Sequence, residues 1–260
     1  MDRKIKLLLI VGSVILASLV VIVVLCVHFI RKPTLSLTFE PAPSKGAFIY
    51  LNFRDRDNIN QWTSRLDDFL KPYYHETGQS TNLKYCEQGI PPKQNSDEVC
   101  DVDVTHWHPC VRDTKYGYTS IKGPCIFLIF NQSPEWLPEY YNSSTVPNNM
   151  PQYLKEHINK VESKDGVNST RLRVVWVSCE GETPVDLEAI GPLQFMPSFG
   201  FDGQYFPVIA KEGYLKPLVA VHFEKPIYSI VIDVVCKAWA RNIDHKKGQG
   251  IVRLALLFDD

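Results

Sequence analysis

The chain has 260 residues, with 28 lysines and arginines against 29 aspartates and glutamates, a formal net charge of −1. That balance gives no reason to expect a nucleic-acid partner. Eighteen prolines and twelve tyrosines favour a loop-rich β protein over a helical one.

Residues 1–6 form a tail too short to fold. From Leu7 to Val27 the run LLLIVGSVILASLVVIVVLCV holds no charged residue. At about 1.5 Å per helical residue it spans roughly 30 Å, the thickness of a bilayer's hydrocarbon core. A cleaved signal peptide carries a shorter apolar region and a small-residue cleavage site. Here the run passes into His28, Phe29, Ile30, Arg31 and Lys32 instead. Residues 7–30 are therefore predicted to form an uncleaved signal-anchor helix. Gly12, Ser13 and Ala17 give it small side chains of the kind that let membrane helices approach closely.

Basic residues flank the run on both sides, so charge alone leans only slightly toward a cytoplasmic N-terminus. Cysteines and sequons decide the orientation. Cys26 lies in the run, and beyond it stand Cys86, Cys100, Cys110, Cys125, Cys179 and Cys236. An even set after a signal anchor predicts three disulfides in an oxidising compartment, with fifteen connectivities open. Asn131, Asn142 and Asn168 begin N-x-S/T sequons and are the candidate glycosylation sites. The C-terminal part is thus expected outside the cell, in a single-pass type II protein of the plasma membrane.

Residues 31–47, with three prolines, read as a stalk, and 48–260 as one extracellular domain. Phe48–Phe53 is the first predicted strand. Ile59, Trp62, Leu66, Phe69, Leu70 and Tyr73 then recur at helical spacing, with Asp57 or Asn58 as the cap and Pro72 near the end. Further strands are predicted at Cys125–Phe130, Leu172–Ser178, Tyr214–Phe223, Ile227–Lys237 and Ile251–Phe258, with turns between several of them. Pro151–Val161 reads as a second helix. Many antiparallel strands with one or two helices predict a mainly β ectodomain, an immunoglobulin-like β-sandwich.

The search for chemistry yields two motifs with plain structural readings. Asp101-Val102-Asp103 has the D-x-D form that holds a metal and nucleotide sugar in many glycosyltransferases, but no alternating βαβ pattern accompanies it. His106-Trp107-His108-Pro109-Cys110 offers metal donors, yet Cys110 is more economically half of a disulfide. No nucleophile elbow, H-E-x-x-H pair or phosphate-binding glycine loop is present. No catalytic residue, cofactor site or metal site is expected.

Several segments together resemble a known family. Tyr214–Phe223 (YLKPLVAVHF) is similar to the Y-L-x-P-L-V-A-V-x-F strand of Na⁺/K⁺-ATPase β subunits, and Cys236–Ile243 (CKAWARNI) to their C-K-A-[YW]-x-x-N-I segment. Tyr116-Gly117-Tyr118 with Gly123-Pro124-Cys125 resembles the family's Y-G-Y…P-C stretch. Trp176–Glu182 and the stretch from Met150 to Ile158 resemble its invertebrate branch. The resemblance implies a non-catalytic partner of a P-type ATPase α subunit, serving its folding, membrane delivery and cation affinity. It implies the pairs Cys86–Cys100, Cys110–Cys125 and Cys179–Cys236. It also places α contacts around Tyr205, Phe206, Lys211 and Tyr214, besides the membrane helix.

Two departures stand out. Leu7–Val27 lacks the aromatic residues usual on the family's membrane helix, and the tyrosine-rich Y-Y-x-x-x-G-K stretch is reduced to Tyr205–Lys211 (YFPVIAK). The alternative reading is a β-like glycoprotein with an extracellular adhesion or junction partner, acting without a pump.

Overall fold

Largely apolar runs build the central strands, and two sheets bury their facing sides in one core. The computed structural model describes residues 16, 18, 35–74, 82–93, 96–119, 123–208 and 211–259. The chain divides into two units, Met1–Thr34 and Leu35–Asp260. Of the predicted signal anchor only Leu16 and Ser18 are described, both helical. Gly12, Ser13 and Ala17 lie outside the described residues. Among the described residues no helix is long and apolar enough to cross a membrane.

In the second unit the elements in chain order are β1 (Ser36–Glu40), β2 (Phe48–Asn52), α1 (Arg56–Leu70), β3 (Leu83–Lys84), β4 (Val99–Cys100), β5 (Cys125–Asn131) and α2 (Gln152–Asp165). There follow β6 (Val174–Gly181), α3 (Pro184–Ala189), β7 (Leu193–Met196), β8 (Gly200–Asp202), β9 (Leu218–Phe223), β10 (Val231–Trp239) and β11 (Ile251–Asp259). One sheet has the order β1-β5-β9-β7, the other β2-β11-β10-β6-β8. The pairings within them are antiparallel except β11 with β2.

Four sequence expectations are corrected. The predicted stalk contains β1, the edge of the four-stranded sheet: Leu37 and Phe39 are buried while Thr38 is exposed. That period of two is a strand signal which the neighbouring prolines obscured. Helix α1 is capped two residues before Asp57, because the Asp55 carboxylate accepts from the Asp57 and Asn58 N–H groups at 2.9 and 3.1 Å. The strand expected from Tyr214 begins only at Leu218, just after Pro217. Helix α3, in a region read as a turn, has a capping box: the Thr183 hydroxyl accepts from Asp186 N–H while the Asp186 carboxylate accepts from Thr183, with Pro184 in the first turn.

Strand β5 is buried on both faces. Phe130 packs on Phe201 of β8, across the sandwich, at 6.0 Å between ring centroids. Phe127 meets Trp107 and Tyr116 of the preceding segment. Beyond that segment lies α1, whose Asp67 accepts from Tyr116 Oη at 2.7 Å and Arg112 Nε at 3.1 Å. The other sheet is likewise covered outside, where Leu154 and Ile158 of α2 join Val174, Trp176 and Trp239 in a second cluster.

Three disulfides join Cys86 to Cys100, Cys110 to Cys125 and Cys179 to Cys236. The last links residues that face each other on adjacent strands β6 and β10. It therefore lies within one sheet, whereas antibody domains bridge their two sheets. Its partners are 57 residues apart, against 14 and 15 for the others. Chain-entropy reasoning assigns about 4 kcal/mol to that crosslink and about 3 kcal/mol to each short one. Replacing Cys179 and Cys236 together by serine is expected to lower the urea midpoint of the full chain in detergent more than opening either short loop. An equal or smaller loss would contradict this ranking.

Candidate partner-binding site

Residues 82–93 and 96–104 form a lobe that hooks onto the segment carrying the expected contacts. The two-residue strands β3 and β4 pair in parallel at its base, beside the Cys86–Cys100 bond. Gly89 N–H donates to Gln204 Oε1 at 2.7 Å, and Gln88 Nε2 donates to Asp202 Oδ1 at 3.0 Å. Gly89 has φ +74°, and an added Cβ would run into the Thr170 carbonyl, so the lobe's closest approach requires glycine. Asn82 Nδ2 reaches the Glu212 carbonyl at 2.7 Å, and Lys211 Nζ donates to the Ser96 carbonyl.

Within this frame Tyr205 and Tyr214 line one gap, and Tyr214 N–H donates to the Lys211 carbonyl at 3.2 Å. Tyr205 is half-buried, and its hydroxyl donates to the Asp101 carbonyl at 2.9 Å. Burial pushes its phenol well above the usual tyrosine range. Tyr214 lines the same small gap against Val99 and Cys100. Its buried hydroxyl has no hydrogen-bond partner among the described residues, and burial pushes its pKa up to about 12.

Phe206 turns the other way. It is 2% exposed and meets Trp136 edge-on at 5.8 Å. The expected contact role of Phe206 is therefore corrected to a core role: a side chain with no free surface offers a partner nothing. Tyr205 and Phe206 are adjacent aromatics, and their sequence carries no signal that separates outer from inner ring.

A cleft of about 350 Å³ opens beside Tyr205, lined among others by Tyr85, Gln88, Asp101, Trp107 and Asp202. Asp103 belongs to its rim and uses its carboxylate locally, accepting from Thr105 N–H at 2.8 Å and Thr105 Oγ1 at 2.6 Å. Asp103 of the D-x-D motif thus serves a turn here. Cys110 of the His-Trp-His-Pro-Cys run is disulfide-bonded. Asp202 and its glutamine partners Gln88 and Gln204 were not singled out in the sequence, since they meet only through the lobe's long-range docking.

The three sequons differ in setting. Asn168 is exposed. Asn142 is half-buried and its side-chain oxygen accepts from Ser144 and Thr145. Asn131 ends β5, where Nδ2 donates to Thr38 Oγ1 at 3.0 Å and Oδ1 accepts from Lys216 Nζ at 2.7 Å.

Burial raises the Asp202 carboxyl pKa, opposed by hydrogen bonds from Gln88 and Gln204. A folded-state pKa above the unfolded one means that the native state holds the proton more firmly. Its contribution is full below the unfolded pKa and is lost as pH rises through the folded pKa. Asp202→Asn keeps an acceptor for Gln88 and removes the charge. The variant is expected to melt above the wild type at pH 7, with the gain vanishing below about pH 4. A gain of the same size at both pH values would contradict the electrostatic cause.

A sequence model of the family described as "Sodium / potassium ATPase beta chain" matches residues 28–254. The sodium/potassium-transporting ATPase subunit beta-2 of Drosophila melanogaster is 42% identical over 233 residues, 86% of this chain and 70% of that protein. Subunit beta-1 of the same species is 33% identical over 219 residues, covering 83% and 67%. A probable sodium/potassium-transporting ATPase subunit beta-3 of Caenorhabditis briggsae is 29% identical over 220 residues, covering 83% and 62%. The chain belongs to the sodium/potassium ATPase β chain family.

Proposed function

We propose that the chain is the non-catalytic β subunit of a sodium/potassium-transporting P-type ATPase, supporting the folding, membrane delivery and cation affinity of a catalytic α subunit. The observation that carries this reading is the family match from residue 28 to residue 254, which runs from the end of the apolar segment into β11. The chain's physical form suits the role. An outer domain braced by three disulfides can order the outer loops of a partner without touching its nucleotide chemistry. Its influence on ion affinity is then a coupling free energy between conformations of α.

The same reading makes the chain a single-pass type II protein of the plasma membrane. The uncharged run from Leu7 to Val27 and the disulfides beyond it support this. Two packed sheets with mostly antiparallel pairing support the finer assignment of an immunoglobulin-like sandwich. Exposure favours Asn168 as the first glycosylated sequon, while the two hydrogen bonds of Asn131 oppose its modification. Glycosidase treatment of the protein from cells is expected to lower its mass. Asn168→Gln should remove one step of that shift and Asn131→Gln none. An unchanged mass in cells that glycosylate normally would overturn the orientation.

The α contact is assigned to the half-buried face of Tyr205, Lys211 and Tyr214, with Gly12, Ser13 and Ala17 in the membrane. Tyrosines are enriched among interface anchors. Tyr205→Ala is expected to reduce recovery of a P-type ATPase α subunit about tenfold, the scale of an interface anchor, while protease resistance persists. Phe206→Ala is expected to cost about 3–5 kcal/mol of stability, so that folding fails first. A folded Tyr205→Ala protein that retains α fully would remove Tyr205 from the interface. Absence of any α subunit from the wild-type purification would overturn the function.

A further inference from the structure

A second surface, sharing no residue with the Tyr205–Tyr214 face, has the chemistry of a binding groove. It encloses about 390 Å³ between α2, α3, β6 and β7. Tyr153, Leu187, Leu193, Phe195 and Phe199 give it apolar walls, and Glu180 supplies a carboxylate. The volume falls within the usual range for binding pockets, which combine apolar walls with a few polar groups.

The groove is built on fixed parts. Tyr153 Oη donates to the Cys179 carbonyl at 3.4 Å and accepts from Cys179 N–H at 3.3 Å, beside the longest-range disulfide. Phe199 lies 5.0 Å from Phe195 and 6.0 Å from Tyr153 between ring centroids. Gly191 leads into β7 at φ +70°, where a Cβ would strike the Glu224 carbonyl. Helix α3 is tied by its capping box and by Ile227 N–H to the Ala189 carbonyl at 2.8 Å. Yet this framework leaves Leu187 52% and Val185 68% exposed on α3. Apolar surface therefore extends from the groove onto the outer side of the helix.

Glu180 specifies what fits. It is half-buried at the end of β6, and no hydrogen bond or ion pair to its carboxylate occurs among the described residues. Burial raises its pKa, and Lys237 opposes the shift from a distance while its ammonium lies 5.9 Å from the Trp239 ring. An incoming cation would compensate the desolvation of this carboxylate, whereas an anion would add repulsion. We infer that the groove docks a protein segment presenting a bulky apolar side chain next to an arginine or lysine. The apolar side chain enters between Phe195, Phe199 and Leu187, and the cation meets Glu180. The apolar surface continuing across Val185 and Leu187 favours a protein segment over an isolated small molecule.

The test uses the full chain in detergent, titrated with N-acetyl-Trp-Arg-amide and with N-acetyl-Trp-Glu-amide, binding being read by saturation-transfer NMR. The arginine peptide is expected to bind about tenfold more tightly, as for one charge-assisted contact. Glu180→Gln, which breaks no hydrogen bond, should bring the two affinities together. Leu187→Asp, at an exposed position that leaves folding intact, should weaken both peptides. Equal wild-type affinities, no binding of either peptide at millimolar concentration, or a preference that both variants leave unchanged would overturn the inference.

Discussion

Between β6 and β10, Cys179 stands opposite Cys236 and Trp176 opposite Trp239, so a single ladder serves two cores. Cys179 and Cys236 belong to the cluster between the sheets, with Ile126, Val221 and Leu256. Trp176 and Trp239 belong to the outer cluster under α2. Trp239 also donates from its indole to Ser178 Oγ at 2.8 Å, a bond enclosed in the same layer. Slipping this pairing by one residue would exchange the two faces and send cysteines toward α2. The disulfide makes that slip covalently impossible.

Both candidate surfaces hang on this ladder. Strand β8 pairs with β6, and Asp202 at its end receives the lobe through Gln88. The groove uses the other end of β6, through Glu180 and the Cys179 backbone held by Tyr153. The proposed role asks the domain to present surfaces at fixed positions. Two-sided burial of β5 and α2-covered burial of β6 suit that task, because a close-packed interior resists deformation.

Much of this was legible in the sequence, and the failures share one cause. The long strands β5, β6, β10 and β11 carry runs such as CIFLIF and IVRLALLF, which are apolar enough to announce themselves. Helix α1 was visible from the spacing of Ile59, Trp62, Leu66 and Leu70, all buried. What was missed is short. Strand β1 was obscured by neighbouring prolines, β7 and β8 have four and three residues, and the T-P-V-D signal of α3 lies inside an apparent turn. Such elements form because tertiary contacts hold them, and those contacts have no local signature. The division between Tyr205 and Phe206 has the same origin. Which ring faces inward is set by Trp136, about seventy residues earlier, and by the lobe that holds Tyr205 at Asp101.

If the β6–β10 ladder supports both sheets, the domain should open as one cooperative unit. Native-state hydrogen exchange on the full chain tests this most directly, comparing wild type with the Cys179→Ser, Cys236→Ser double variant. The expected result is highest protection at Val175–Cys179 and Val234–Ala238 in the wild type. In the variant, protection should fall by a common factor in both sheets, including β5 and β9. Loss confined to β6 and β10, with β5 and β9 as protected as before, would contradict a single ladder holding the domain together.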